Sequence, residues 1–261
     1  MKSKQPRNRR GGGAEETPGP PASSRRGLPF VLVNMSMTAD GKIATANREV
    51  SSFGSRRDHE HLLDLRASAD AVLCGARTVD LNQVSLGTGG KRLRKLRLKR
   101  GLAQCSVRVI ATGSGSLDPK AHIFLRRANK KSDGPIIVLT TARAGKQRLA
   151  KLCTVADEVK ICGRKELNFH EALRWLYKEW NVCRLICEGG GELNDAMFRA
   201  NLVDELHLTL CPKIIGGRQA PTIVDGVGFK KLPIAKQLQL VSARRVDDEL
   251  FLVYRSCTLR H

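Results

Sequence analysis

The amino-acid sequence predicts an α/β domain with a mostly parallel central sheet flanked by helices and an antiparallel C-terminal edge. The first observation is that short apolar runs, rich in β-branched residues, alternate along the chain with amphipathic segments of helical period. The second is size, because 261 residues of which 41% are hydrophobic suit one such domain with a large core. No run of about 18 apolar residues occurs, so the sequence predicts no membrane span.

The strands are predicted from apolar runs bounded by glycine, proline or charged residues. The first, FVLVNMSM at residues 30–37, is followed by an Asp-Gly turn in TADGK. Further runs of the same character lie at residues 71–75, 107–113, 134–141, 158–162, 182–191 and 205–215. Residues 238–256 predict two strands joined as a hairpin that turns near Asp247 and Asp248.

Helices are predicted between these strands, at residues 55–69, 142–153, 168–180 and 192–201. The helix at 168–180 has the clearest signals. Asn168 is a suitable N-cap, and the apolar residues that recur on one side of the helix are Phe169, Leu173, Leu176 and Tyr177.

Residues 1–27 are basic, rich in glycine, proline and serine, and lack the apolar region of a secretory signal. This composition predicts a disordered arm and leaves residues 28–261 as the folded domain. The eight cysteines are scattered, with no C-x-x-C pair and no histidine at a ligand-like spacing. We therefore expect buried free thiols in a reducing cytoplasm, and no metal site.

A formal net charge of +21 is concentrated in this arm and in KRLRKLRLKRG, residues 91–101. Basic segments of this kind are either solvated helix faces or electrostatic contacts for nucleic acid and other anions. No zinc-finger or RNP signature accompanies the charge, so the sequence does not favour nucleic acid as the partner.

Four glycine-containing turns follow predicted strands: TADGK, GARTVDLN, TGSGS and EGGGELN. A flexible turn would explain any one of them alone. The carboxyl ends of parallel strands meet at one edge of a sheet, however, and ligands of α/β proteins bind there. Glycine also lets backbone N–H groups approach a phosphate at a helix N-terminus. The four turns together predict a phosphate-bearing ligand along this edge.

In this order the segments resemble the reductase family of riboflavin biosynthesis. The family's S-x-D-G-K is matched by Thr38, Asp40, Gly41 and Lys42. Its L-R-a-x-x-D-A-i-l-x-G-x-x-T-V is matched by LRASADAVLCGARTV, and its E-G-G-x-x-L by EGGGEL. The resemblance covers residues 29 to about 254 and implies a single domain with a dihydrofolate-reductase-like fold.

The resemblance implies an NADP-dependent oxidoreductase of riboflavin biosynthesis. Such an enzyme transfers a hydride from NADPH to the ribose C1′ of a 5-phosphoribosylaminopyrimidine and gives the ribitylamino product. It also implies a cytoplasmic homodimer, for which the strand at residues 205–215 is a candidate contact. The zinc signature of a deaminase, H-x-E with P-C-x-x-C, is absent, so we expect a free-standing reductase.

The resemblance assigns site residues on both sides of the reaction. The cofactor side is implied to include Thr78, Asn82, Ser114, Gly189, Gly190, Gly191, Glu192, Leu193 and Asn194. The substrate side is implied to include Ser51, Arg66, Leu86 and Glu188. Glu188 and Asp40 are the candidate catalytic residues, expected to orient substrate hydroxyls or to stabilise iminium charge.

Two departures from the family bear on specificity. The family's D-D-P-x-L becomes NQVSL after the T-V, so Asn82 keeps hydrogen-bonding capacity but loses a charge. In the family's D-S-x-x-R-x-P, Leu117 replaces an arginine suited to a 2′-phosphate. NADPH is therefore expected if Lys120 or Arg143 supplies the cation, and NADH stays open.

Two other functions stay open from the sequence. One is a reductase of the same fold that acts on another pyrimidine-like or pteridine-like substrate. The other is a nucleic-acid-binding protein on a retired reductase scaffold, which the charge suggests. Stoichiometric binding of NADPH would support an enzyme, whereas salt-sensitive retention of RNA without such binding would support the nucleic-acid binder.

Overall fold

The computed structural model describes residues 27–49, 53–81, 84–125 and 133–257. The predicted arm, apart from Gly27, lies outside the described residues, and so do the predicted site residues Ser51 and Asn82. In chain order the strands of the described residues are β1 (Phe30–Thr38), β2 (Ala71–Gly75), β3 (Val107–Thr112), β4 (Ile136–Thr140), β5 (Glu158–Ile161), β6 (Arg184–Cys187), β7 (Glu205–Cys211), β8 (Leu238–Val246) and β9 (Glu249–Ser256).

These strands form one sheet with the order β5-β4-β3-β2-β6-β1-β7-β9-β8. From β5 across to β7 all pairings are parallel, whereas β9 is antiparallel to both β7 and β8. The predicted fold class, with its antiparallel C-terminal edge, is confirmed. Every predicted strand is present, and the hairpin turns at Asp247 and Asp248 as expected.

The α-helices of the described residues are α1 (Arg56–Arg66), α2 (Ala76–Leu81), α3 (Lys91–Lys99), α4 (His122–Leu125), α5 (Gly145–Val155), α6 (Phe169–Trp180) and α7 (Gly191–Arg199). Short 3₁₀ turns cover Ala142–Ala144 and Leu232–Ile234. The sequence does not predict α2 and α4, which are too short to show a helical period. The predicted cap of α6 is confirmed, because the Asn168 side chain accepts a hydrogen bond from the backbone N–H of Glu171.

Helices cover both faces of the sheet and so produce two hydrophobic cores. Under α6 and α7 the buried residues include Leu173, Leu176 and Met197. Under α1, α2 and α5 they include Leu65, Val79 and Leu152. Because both faces of the central strands are covered, these strands are apolar on both sides, which is why their sequences are nearly continuous hydrophobic runs.

None of the eight cysteines is in a disulfide. Burial raises the pKa of the Cys187 thiol to about 12, which makes it unreactive. Cys153 and Cys183 are exposed, so the expectation of buried thiols is wrong for these two. Among the helices that the structure describes, none combines the length and the apolar character needed to cross a membrane.

The basic segment forms α3, and one of its charges is structural. Arg97 is fully buried, whereas the other basic side chains of α3 are exposed or partly exposed. The Arg97 guanidinium donates to the carbonyl oxygens of Arg66 (3.0 Å), Ala69 and Ala103 (2.8 Å). The carbonyl of Arg66 lies at the C-terminal end of α1, where the helix dipole favours a positive charge, and that of Ala69 lies three residues further along the chain. Arg97 therefore caps α1.

The contact between α1 and the strands β1 and β7 is polar. Ser36 Oγ donates to Asp58 Oδ2 over 2.7 Å. The rings of His61 and His207 stack, and His61 Nε2 lies 3.3 Å from His207 Nδ1. His207 Nε2 lies 2.8 Å from Glu205 Oε1. Burial lowers the pKa of His61 to about 4, and the neighbouring His207 adds to this shift. We call the following side chains between α1 and these strands the polar layer: Asn34, Ser36, Asp58, His61, Glu205, His207 and Thr209.

Replacing Arg97 with methionine should destabilise the protein. The change removes the donor from two buried hydrogen bonds and one partly buried hydrogen bond while keeping much of the side-chain volume. We expect the free energy of unfolding to fall by about 2–4 kcal/mol, measured by urea denaturation. The control Lys95→Met, on the exposed side of the same helix, should change it by less than about 0.5 kcal/mol. Equal stabilities of the two variants would contradict the capping role of Arg97.

The lowered pKa of His61 should make stability fall in mild acid. Between pH 6.5 and about 4 the unfolded chain binds a proton at His61 that the folded protein does not, so stability is lost as the pH falls through this window. The loss from this group amounts to at most about 3 kcal/mol, and it is complete once the pH is below the folded pKa.

Thermal unfolding at stepped pH measures this effect. The neighbours of His61 that set its charge balance are His207, Asp58 and Arg244. His61→Gln should flatten the profile between pH 6.5 and 4, whereas His59→Gln, an exposed change on the same helix, should keep the wild-type slope. An unchanged slope in His61→Gln would show that another group causes the acid sensitivity.

Candidate active site

A cavity of about 660 Å³ opens at the carboxyl ends of the strands. Three of the four predicted glycine turns line it, namely those after β2, β3 and β6. The fourth turn, TADGK after β1, does not line the cavity, but the residues that follow it, Ile43, Ala44 and Arg48, do. The expected convergence of turns at one edge of the sheet is thus present for three of them.

The glycine triplet after β6 has a different role at each position. Gly189 has a left-handed φ of 74°, and Gly191 packs so closely that a Cβ there would lie 2.7 Å from the Thr222 carbonyl oxygen. A Cβ on Gly190 would meet nothing nearer than Thr78 Oγ1, at 3.8 Å, because this residue faces the cavity. The peptide bond between Gly189 and Gly190 is cis.

The helix α7 begins at Gly191, and its first turn has no side-chain cap. The N-cap residue is Gly190, whose open side faces the cavity. Uncapped N–H groups at a helix N-terminus, together with the helix dipole, favour an anion. This end of the cavity is therefore suited to a phosphate group.

Most of the predicted cofactor residues lie at this cavity. Its lining includes Thr78, Ser114, Gly190, Gly191, Glu192 and Leu193. Gly189 and Asn194 do not line it. Asn194 is fully buried, and its amide donates to the Ile223 carbonyl oxygen over 2.7 Å, so it fastens α7 to the loop after β7.

Two predicted substrate residues, Arg66 and Glu188, form a buried ion pair. Arg66 Nε and Nη2 donate to the two carboxylate oxygens of Glu188 over 2.6 Å each, and Nη1 donates to the Gly87 carbonyl oxygen over 2.9 Å. Although burial alone would lower the pKa of Arg66, the charge of Glu188 raises it above its ordinary value. Leu86, next to Gly87, is buried with a left-handed φ of 52°. A bidentate pair of this kind has a fixed geometry.

Asp40 lies in the turn after β1, with both carboxylate oxygens engaged. They accept hydrogen bonds from Thr38 Oγ1 (2.5 Å) and from the backbone N–H groups of Ile215 (3.2 Å) and Gly216 (2.7 Å). The Thr38 hydroxyl and then the Gly216 N–H lower the pKa of Asp40 to about 2. Asp40 therefore carries no proton near neutral pH and ties this turn to the loop after β7.

Sequence reasoning missed one wall of the cavity, which Pro221 and Asp225 form. They belong to the loop after β7, which is held in place by hydrogen bonds from Ile43 N to Pro221 O (2.9 Å) and from Asp225 N to Gly191 O (3.0 Å). Nothing in the loop sequence signals this position, because the contacts are made by backbone atoms far apart in the chain.

Arg143 stands at a junction between this cavity and a neighbouring one of about 570 Å³. It follows β4, and its Nη2 lies 3.8 Å from the point where a Cβ on Gly113 would be. The second cavity adds Lys165, His170 and Arg199 to this region. Lys120, the other cation considered from the sequence, lines neither cavity.

No cluster of three or more histidine, cysteine, aspartate or glutamate side chains suited to a metal ion occurs in the described part of the chain. The polar groups at the cavity are instead backbone N–H groups, hydroxyls, the guanidinium groups of Arg48, Arg77 and Arg143, and the carboxylates of Asp80, Glu192 and Asp225. These are groups that bind phosphates and sugars.

The family model described as the RibD C-terminal domain matches residues 29–252. A protein of Methanothermobacter thermautotrophicus, named 2,5-diamino-6-ribosylamino-4(3H)-pyrimidinone 5′-phosphate reductase, is 30% identical over 226 residues, which is 87% of this chain and 97% of its own length. A protein of Aquifex aeolicus with the same name is 31% identical over 218 residues, 82% of this chain and 90% of its own length.

Among solved structures, a pyrimidine reductase-like protein from Corynebacterium diphtheriae has a TM-score of 0.71 at 22% identity, covering 88% of this chain and 92% of that one. At this identity the likeness concerns the fold alone. The resemblance to the reductases of riboflavin biosynthesis is confirmed by the family model and by the two relatives. The chain belongs to the RibD C-terminal domain family.

Proposed function

We propose that this chain is an NADPH-dependent reductase of 2,5-diamino-6-ribosylamino-4(3H)-pyrimidinone 5′-phosphate, the compound for which its relatives are named. The ribose, opened to its imine, accepts a hydride at C1′ and a proton at nitrogen and becomes a ribitylamino group. The dinucleotide supplies the hydride when bound. The protein binds and orients both molecules.

The observation that carries this proposal is that one strand end carries both the Arg66–Glu188 ion pair and the glycine turn of the cavity. β6 leads directly into Glu188, which is paired with Arg66, and then into the glycine turn that faces the cavity. A dinucleotide phosphate on that turn and a substrate at the ion pair would be neighbours. The residues present fit the dinucleotide, because Gly190 leaves the space that a phosphate needs.

The roles of the predicted catalytic residues follow from their surroundings. Glu188 accepts one hydrogen bond from Arg66 at each carboxylate oxygen, so each oxygen keeps a lone pair for a substrate hydroxyl held in a fixed orientation. Asp40, with a pKa of about 2 and both oxygens occupied, acts as a positioning residue through the turn that precedes Ile43 and Ala44. The proton at nitrogen then comes from solvent.

The open glycine turn also separates this proposal from its alternatives. A protein that no longer binds a dinucleotide has no need to keep the space beside Gly190 open, whereas binding of a dinucleotide requires that space. A reductase acting on another pyrimidine-like substrate would use the same cavity. The substrate can be tested by mixing the protein and NADPH with the diaminopyrimidinone phosphate or with pteridine analogues. The absorbance of the reduced nicotinamide should fall with the diaminopyrimidinone phosphate and not with the analogues.

The homodimer and the cytoplasmic location stay predictions. The strand at residues 205–215 is a poor candidate for adding a partner strand, because β7 already pairs with β1 and β9. The edge strands of the sheet are β5 and β8, and the exposed apolar residues of β8 include Leu240 and Val241. We propose β8 as the contact surface of the dimer.

Gly190→Asp should abolish dinucleotide binding and leave the fold intact. The new carboxylate would project into the cavity, where it repels a phosphate and occupies its space. Fluorescence titration with NADPH measures binding, and thermal unfolding checks the fold. The matched control is Gly90→Asp, an exposed N-cap residue of α3 with nothing within 4 Å of its added Cβ. Unchanged affinity in folded Gly190→Asp would remove this turn from the site.

Arg143→Ala should weaken the preference for NADPH. Discrimination of a 2′-phosphate needs a cation, and Arg143 lines the cavity beside Gly113 and Ser114. We expect kcat/KM to fall by roughly tenfold with NADPH, equivalent to about 1.4 kcal/mol, and to stay unchanged with NADH. Lys120→Ala, at a residue outside the cavity, is the control. Added salt should weaken the wild-type preference, since an exposed pair is screened.

An NADPH-to-NADH ratio that is the same in Arg143→Ala and the wild type would contradict the assignment of Arg143. Equal use of both cofactors by the wild type would show instead that Leu117 has relaxed the selectivity.

A further inference from the structure

The polar layer beneath α1 lies along the carboxyl-terminal half of β1 and the first residues of β7, level with the carboxyl end of β6. Asn34 and Ser36 of β1 pair in register with His207 and Thr209 of β7, and these side chains share the face that α1 covers. Elsewhere on this face, under the same helix, the packing is apolar. Polar groups buried at the ligand-binding edge of an α/β sheet indicate a polar ligand.

Asp58 is the acidic member of this layer. Its Oδ2 accepts the hydrogen bond of Ser36, whereas its Oδ1 is buried and has no hydrogen-bond partner among the described residues. Gly54 packs against the same carboxylate, since a Cβ there would lie 2.2 Å from Oδ2. A buried carboxylate oxygen without a donor is unfavourable unless a ligand supplies the donor.

Asn34 lies two residues before Ser36 on the same face of β1 and has a similar buried oxygen. It is 8% exposed, and its Oδ1 has no hydrogen-bond partner in the described part of the chain. Val33 pairs with Cys187 in parallel register, so Asn34 lies beside Glu188, on the same face of the sheet. Asn34 therefore lies next to the strand end that carries the Arg66–Glu188 pair, and Asp58 contacts Ser36, two residues further along β1.

We propose that Asp58, with Asn34 beside it, binds the pyrimidine ring of the substrate and selects its 2-amino form. This inference rests on the proposed reductase function. The 2-amino group and the N3–H of a 2-amino-4(3H)-pyrimidinone are adjacent donors, which match the two oxygens of a carboxylate. The uracil form has a carbonyl oxygen at position 2, which would face Asp58 acceptor to acceptor. The Asn34 amide can rotate to offer either its oxygen or its NH₂ to the ring.

This binding mode places the ring between α1, the middle of β1 and the end of β6. The ribose would then lie towards Glu188 and the glycine turn, which is where the proposed hydride transfer requires it. Sites built to hydrogen-bond a particular substrate group reject the analogue that lacks it, because buried polar groups are left unpaired.

The test compares Asp58→Asn with wild type on two substrates, the 2,5-diaminopyrimidinone phosphate and the corresponding 5-aminouracil phosphate, each with NADPH. Wild type should favour the diamino form. Asp58→Asn should lower kcat/KM for that form by roughly 10- to 100-fold and spare or improve turnover of the uracil form, since an asparagine NH₂ can donate to the 2-oxygen. The control is Asp64→Asn, an exposed carboxylate on the same helix.

Two measurements exclude a general loss of structure in Asp58→Asn: the thermal midpoint and the NADPH affinity should match those of wild type. If the wild type is active and Asp58→Asn keeps the same ratio of kcat/KM for the two substrates, the assignment of Asp58 is wrong. This includes the case in which the variant loses activity equally on both substrates. Either result would leave the proposed function standing. A wild type that binds NADPH but reduces neither substrate would overturn the proposed function and this inference with it.

Discussion

The buried ion pair between Arg66 and Glu188 is the interaction on which the rest of the site depends. It joins the end of α1 to the end of β6, and the same guanidinium holds the Gly87 carbonyl. Neither charge is stable there alone, because removing one partner of a buried pair costs about 3–5 kcal/mol. Arg97 fixes the same helix end from the other side, through the backbone carbonyl of Arg66. The direction in which the chain leaves β6 is thereby set.

The alternation of side chains along β6 explains how one strand end faces two regions. Cys187 projects into the core under α6 and α7, and Glu188 projects towards α1. The glycine turn that follows lines the cavity, together with residues of α2 and α7. In the proposed reductase, a substrate at Glu188 and a dinucleotide at the glycine turn would therefore meet at the end of one strand, as the direct contact needed for hydride transfer requires.

Local sequence signals were sufficient for the strands, for the cap at Asn168 and for the turns that line the cavity. They were insufficient wherever a residue's role depends on a distant partner. Arg97 belongs to a basic run yet caps another helix, and Asn194 belongs to the glycine-rich motif yet holds a loop. The wall at Pro221 and Asp225 depends on backbone contacts with distant segments, which no side-chain pattern encodes.

The position of β1 has a consequence for how the chain folds. Its neighbours in the sheet are β6 and β7, with Phe30 beside Arg184 and Leu32 beside Glu205. At about 5–20 residues per second, a ribosome takes roughly 8–30 seconds to make the chain between β1 and its first partner. An apolar strand is thus without a sheet partner through most of synthesis. Such long-range pairing slows folding and exposes the nascent chain to aggregation, so β1, an interior strand of the finished sheet, is the described strand that waits longest for a partner.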